Sequence, residues 1–158
     1  MQAIGSNHAA GISIVAFLIA GMASMAYYQF VYVPEANAKP RLPKAVLEPA
    51  ESVSVTIVEG AWQESSQRNY VAKNARGILG LSNKVVWTNA DAIGHTVTTR
   101  DGYADVIGGK FDSNEHLGAL IMPGETFEFV FTKAGEFPYS CVPHPHMKGV
   151  VEMVENFS

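Results

Sequence analysis

From Val53 onward, apolar and polar side chains exchange places at every second position, and no stretch there carries the spacing of a long helix. Val53, Val55 and Ile57 alternate with Ser54, Thr56 and Val58, and Phe127, Phe129 and Phe131 alternate with Glu128, Val130 and Thr132. The runs Lys84–Thr88, His95–Thr99 and Lys148–Val154 are rich in β-branched residues, which suit a pleated, half-buried surface. Turn chemistry separates the runs: Asn89-Ala90-Asp91, Asp101-Gly102, Pro123-Gly124 and Ala134-Gly135. The pattern predicts an all-β domain of roughly seven or eight short strands, packed as an antiparallel sandwich. Asp101 to His116, with Gly102, Gly108 and Gly109, is the least regular part and reads as a long surface loop.

Ahead of this body the chain is of a different kind. No Asp, Glu, Lys or Arg occurs before Glu35, and Ala9 to Val33 is an uncharged run interrupted mainly by Ser13, Ser24 and Gln29. Its length suits a hydrocarbon core about 30 Å thick, and Tyr27, Tyr28, Phe30 and Tyr32 gather at one end as interfacial aromatics do. A cleaved signal is the rival reading. It has small-residue sites at Ala36-Asn37-Ala38 and around Ala23 to Ala26, but lacks a basic start and has too long an apolar run. The expectation is a retained transmembrane anchor over 1–34, a Pro-rich spacer over 35–51 with Pro40, Pro43 and Pro49, and a folded domain over 52–158. The basic residues Lys39, Arg41 and Lys44 follow the run and by themselves favour a cytoplasmic body.

The charge balance, −4, includes no basic cluster, so nucleic acid is not an expected partner. The one cysteine, Cys141, excludes an internal disulfide, and a lone thiol in an exported domain needs something to occupy it. It lies in Cys141-Val142-Pro143-His144-Pro145-His146-Met147, where a thiol, two imidazoles and a thioether share one proline-stiffened loop. His95 stands near the start of a predicted strand far upstream. Thiolate and thioether favour Cu(I), imidazole also suits Cu(II), and a trigonal His, His, Cys set with a weak axial Met is an electron-transfer arrangement. A dinuclear copper centre of the oxidase type needs a second cysteine. A trinuclear cluster needs more than the five histidines present. Structural zinc sites close with four strong ligands, and only three are at hand.

These motifs resemble the cupredoxins, the small blue copper proteins of which plastocyanin, amicyanin and halocyanin are examples. The resemblance covers about Val53 to Val154, with Gly94-His95-Thr96-Val97, Phe111-Asp112-Ser113 and Met122-Pro123-Gly124-Glu125 as further matching segments. Cys141 to Met147 has the short C-x-x-H-x-x-M form of the amicyanin type. The resemblance implies a Greek-key β-sandwich and one copper ion held by His95, Cys141, His144 and Met147. It implies an electron carrier rather than an enzyme, located outside the cytoplasm and working between redox protein partners. The loop 101–110 is longer than its plastocyanin counterpart, and His146 replaces a residue that is often apolar, which leaves two histidines competing for one position.

His146 is expected on the rim of the site and His116 in a solvated loop. Trp62 and Trp87 are expected in the core or at its rim. Val142, Pro143 and Pro145, with Leu79 and Leu81, are expected to form an apolar docking patch around His144. Two other roles have their own signatures. An open copper position would allow redox chemistry on a small molecule such as nitric oxide. Copper delivery or storage would favour Met-rich tracts, whereas the six methionines here are scattered.

Overall fold

A computed structural model describes residues 6–37 and 42–156; Lys39, Pro40 and Arg41 of the predicted spacer lie outside the described residues. The chain divides into two compact units, 1–40 and 41–158.

The first unit is helical: α1 (Ser6–Tyr27), a π-helical turn (Tyr28–Tyr32) and α2 (Val33–Ala36). Pro34 explains the π turn. Proline lacks an N–H, and its ring crowds the carbonyl four residues back, so a wider turn relieves the clash. The Val33 N–H accordingly donates to Tyr28 O, five residues back. The stretch Ile12–Ala36 is long and apolar enough to cross a membrane, and none of it is buried in protein.

The second unit begins with a single turn, α3 (Lys44–Leu47), followed by β1 (Ser52–Ile57), β2 (Tyr70–Val71), β3 (Asn74–Ile78), β4 (Lys84–Asn89) and β5 (Thr98–Thr99). A short ribbon, β6 (Ala104–Asp105) and β7 (Gly109–Lys110), leads into α4 (Ser113–Leu117). The strands β8 (Thr126–Val130), β9 (Gly135–Ser140) and β10 (Lys148–Val154) complete the body. One sheet has the order β2-β1-β4-β8 and the other β3-β10-β9-β5.

Both sheets are mixed, which corrects the antiparallel expectation. The pairs β1–β4 and β3–β10 run parallel, with Val55 beside Trp87 and Val151 beside Ala75. Alternation reports which face a residue occupies and is the same for either strand direction, so it cannot distinguish the two pairings. The predicted loop 101–116 likewise contains the β6–β7 ribbon and α4. The predicted strand His95–Thr99 keeps regular pairing only at Thr98–Thr99, because His95 forms an isolated bridge with Ile121.

Period two sets the core. Val85 and Trp87 on β4 face Phe127 and Phe129 on β8, and all four are buried. Trp87 sits at the centre, with ring centroids 5.5 Å from Phe111, 5.6 Å from Phe127 and 5.6 Å from Tyr139. Trp62, the other tryptophan, is exposed. Opposite Tyr139 on β10 stands Gly149, and a Cβ there would overlap the tyrosine ring. Gly149→Ala is therefore expected to cost about 1–3 kcal/mol by overpacking. Urea denaturation measures this, and an unchanged midpoint would contradict the close approach.

Buried asparagines fix the two ends of β4. At its start, the Asn83 amide donates to Val46 O and to Phe131 O, both at 2.8 Å, which fastens α3 to the body. At its end, the Asn89 amide donates to Ile93 O at 2.7 Å and Ile121 O at 2.8 Å, while its oxygen accepts the Asp91 N–H. This second cluster holds the turn from which His95 projects.

Candidate metal centre

Three connections meet at the end of the sandwich where β4 and β9 finish. Cys141 directly follows β9 and Met147 directly precedes β10, so the ligand loop spans adjacent antiparallel strands. Cys141 N–H donates to Met147 O at 3.2 Å, and Met147 N–H to His144 O at 2.9 Å, which closes the loop on itself. His95 enters from the 90–97 connection, pinned by reciprocal backbone hydrogen bonds with Ile121 of 3.1 and 2.9 Å.

The side chains converge. Cys141 Sγ lies 3.7 Å from His95 Nδ1 and 3.5 Å from His144 Nδ1, and the three donor atoms all fall within 4.8 Å of one another. Metal–ligand bonds of about 2.0–2.3 Å around one ion leave donors roughly 3.5–4 Å apart, so the spacing is that of ligands sharing an ion. His95, Cys141 and Met147 are sealed from solvent, whereas His144 is half-buried. Burial first, then the neighbouring His95 and His146, hold the His144 pKa below its ordinary value, which keeps a nitrogen free for a metal.

The backbone aims the sulfur. Thr96 N–H points at Cys141 Sγ at 3.4 Å, and Thr96 Oγ1 accepts the Val142 N–H at 2.8 Å, so one residue ties the His95 segment to the thiol-bearing loop. Of the two competing histidines, His144 is the one brought to Cys141. The His146 ring turns to Ala61, its Nε2–H donating to the carbonyl at 3.1 Å. His116 lies elsewhere, exposed to solvent as expected, with its Nε2–H on Lys110 O and one side of its ring near Phe127 and Phe129.

Behind His95 lies a buried carboxylate, Asp91. Asp91 Oδ2 accepts the His95 Nε2–H at 2.9 Å, while Oδ1 accepts the Gly60 N–H at 2.9 Å and the Ala92 N–H at 2.8 Å. Burial by itself raises the Asp91 pKa, and these hydrogen bonds outweigh it, so the carboxyl titrates below its ordinary value. Its sequence signal is the spacing Asp-x-x-x-His within a turn, too common to single out alone.

Around His144 the surface is apolar. Val142 is 62% exposed and Met122 49%, with Ile93, Pro143 and Pro145 also exposed. Leu79 and Leu81 do not join them, which corrects the predicted patch. Leu79 N–H bonds Val154 O at the far end of β10, so both leucines sit a strand length away from the ligand loop. A recess of about 170 Å³ opens beside the loop, lined by Thr96, Asp112, Asn114, Leu120, Val142 and Pro143.

Comparison with known proteins agrees with this geometry. Residues 65–154 match the family model for copper binding proteins of the plastocyanin/azurin family. Amicyanin-alpha from Methylorubrum extorquens is 28% identical over 103 residues, which cover 65% of this chain and 72% of that protein. Amicyanin from Paracoccus denitrificans is 28% identical over 71 residues, covering 45% of this chain and 49% of that one. Among solved structures, a purple cupredoxin from Nitrosopumilus maritimus superposes with a TM-score of 0.51 at 26% identity, over 64% of this chain and 98% of its own. A copper-containing nitrite reductase from Thermus scotoductus shares the fold at a TM-score of 0.50 and 21% identity, over 76% of this chain but only 28% of its own. A buried thiol, two imidazole nitrogens and a buried thioether in the next turn form a donor set that suits copper in both oxidation states. The chain belongs to the plastocyanin/azurin family of copper-binding cupredoxins, amicyanin-like in its ligand loop, and its cofactor is copper.

Proposed function

We propose that His95 Nδ1, Cys141 Sγ, His144 Nδ1 and Met147 Sδ hold a single copper ion, and that the protein carries single electrons between redox partners. The observation that carries this reading is the convergence of the Cys141 thiol with two imidazole nitrogens at one end of the sandwich, with Cys141 and His95 sealed from solvent and His144 half-buried. Bound copper supplies a one-electron couple. The chain supplies rigidity: Pro143 and Pro145 restrict the loop, Thr96 fixes the sulfur, and the Asn89 cluster fixes the turn ahead of His95. Ligands held this way rearrange little between oxidation states. Full burial of Met147 supports a closed site over one open to small molecules. His144, the ligand nearest solvent, gives the exit for the electron. The apolar surface formed by Val142, Pro143, Pro145, Ile93 and Met122 suits the small, transient contacts typical of redox encounters.

The test is addition of Cu(II) to the full chain in detergent. An intense visible thiolate-to-copper band is expected, and Cys141→Ser is expected to abolish it. A folded protein that stays colourless in excess cupric salt would overturn the reading.

The segment 1–34 is proposed as a retained anchor that holds the body outside the cytoplasm, and the apolar helical stretch Ile12–Ala36, none of it buried, supports this. The full-length chain is expected to stay in the membrane fraction through alkaline carbonate washing. Release of a shortened chain beginning near Ala38 would show cleavage instead.

A further inference from the structure

We infer that Asp91 is a positioning residue of the copper site: its buried carboxylate holds the Nε2–H of His95, turns the bare Nδ1 toward the Cys141 sulfur, and places a negative charge one imidazole ring away from the metal. This rests on the ligand set proposed above and adds to it the group that selects the tautomer and biases the couple.

Three observations carry it. First, the contact is short, 2.9 Å, between side chains 0% and 1% exposed, so water does not compete for either group. Second, the carboxylate is itself anchored. Gly60 and Ala92 N–H groups occupy Oδ1, which leaves Oδ2 directed at the ring. Third, among the described residues the ion pairs of Asp91 include no lysine or arginine, and its one ion-pair partner is His95. Its charge is therefore not offset by a neighbouring cation.

A neutral imidazole carries one proton. With that proton on Nε2 and donated to Asp91, Nδ1 has only a lone pair, the form a metal requires. A carboxylate on the far nitrogen also makes the ring a stronger donor, as outer partners of metal-bound histidines do. The stronger donor and the nearby negative charge both favour the more highly charged Cu(II) over Cu(I), so Asp91 lowers the reduction potential. The same anchoring reaches the second ligand segment. Gly60 is bound to Asp91, and the next residue, Ala61, takes the His146 proton beside His144. One connection, between β1 and β2, therefore braces both imidazole-bearing segments.

The experiment uses the full chain in detergent and has two arms. In the copper-free wild type, nitrogen-15 NMR of His95 is expected to show the proton on Nε2. A proton on Nδ1 would overturn the inference, and this arm needs no variant to fold. In the copper-loaded protein, Asp91→Asn keeps an oxygen for Gly60 and Ala92 and removes the charge. A redox titration with copper is expected to show the ratio of Cu(II) to Cu(I) affinity falling about tenfold, a rise of about 59 mV for a one-electron couple. Asp91→Glu is expected to return the potential toward the wild-type value. An unchanged potential in Asp91→Asn, with the visible band intact, would overturn the inference and leave the ligand set standing. Absence of the band in the wild type would overturn the ligand set itself.

Discussion

Trp87→Ala is expected to cost about 3–5 kcal/mol of stability, the range for deleting a large buried aromatic side chain. Trp87 is fully buried on the central strand pair of its sheet, between β1 and β8. Its ring touches Phe127 in its own sheet, Tyr139 in the facing one, and Phe111 in the segment before α4. Alanine leaves a cavity bordered by three rigid rings, which cannot collapse cheaply. The consequence reaches the metal centre, because Tyr139 stands near the end of β9, two residues before Cys141. A Tyr139 ring that loses its neighbour loosens the end of β9, and the visible band is expected to broaden as the sulfur position varies. Trp87→Phe, which retains a ring against Phe127, is expected to lose less than half as much. Urea denaturation of copper-free protein measures the stability loss, and absorption of copper-loaded protein measures the band. A loss below about 1 kcal/mol for Trp87→Ala would show that the two sheets hold together without this contact.

The parts of this molecule legible in the sequence are those whose physics is local. Alternation at Val53–Ile57 and Phe127–Phe131 marks strands because a pleated chain presents opposite faces in turn. The Cys141–Met147 loop declares its chemistry because all its donors lie within seven positions and both prolines stiffen it. His95 is different. Nothing around it requires a meeting with Cys141, and only resemblance to a family brings it to the loop. What stayed hidden depends on contacts between distant segments. Strand direction in β1–β4 and β3–β10 is set by crossovers and leaves no trace in alternation. Leu79 and Leu81 look as suitable for a docking patch as Ile93 and Met122 do, until the direction of β10 places them at the other end of the domain. Asp91 reads as an ordinary turn residue, and its meeting with Gly60 depends on the loop between β1 and β2 folding over the site.

Asp105→Ala is expected to cost about 3 kcal/mol at neutral pH, and the loss carries a pH signature. Asp105 is only 5% exposed and accepts five hydrogen bonds. Oδ1 takes the Ile107 and Gly108 N–H groups at 2.9 and 3.2 Å, and Oδ2 takes the Tyr103 hydroxyl at 2.7 Å. Oδ2 also takes the Thr132 N–H at 2.9 Å and the Thr132 hydroxyl at 2.8 Å. The carboxylate thus closes the β6–β7 ribbon and fastens it to the segment after β8, which explains how the long insertion becomes ordered structure. Removing it strands several donors, each worth about 1–3 kcal/mol where it is left unpaired and buried. Burial raises the Asp105 pKa, and the hydrogen bonds from Tyr103, Ile107 and Thr132 more than reverse this, so the folded value lies below the ordinary one. A depressed folded pKa means stability that is fully present above the unfolded value, about 3.9, and lost as pH falls through the folded value. Asp105→Asn keeps the shape without the charge. The gap in unfolding free energy between wild type and Asp105→Asn is therefore expected to be widest near pH 7 and to narrow steadily below about pH 4. Urea titrations of the copper-free proteins from pH 7 to pH 3 measure it. A gap that is constant across that range would mean the carboxylate acts by shape alone, and a gap that widens on acidification would reverse the sign argued from its hydrogen bonds.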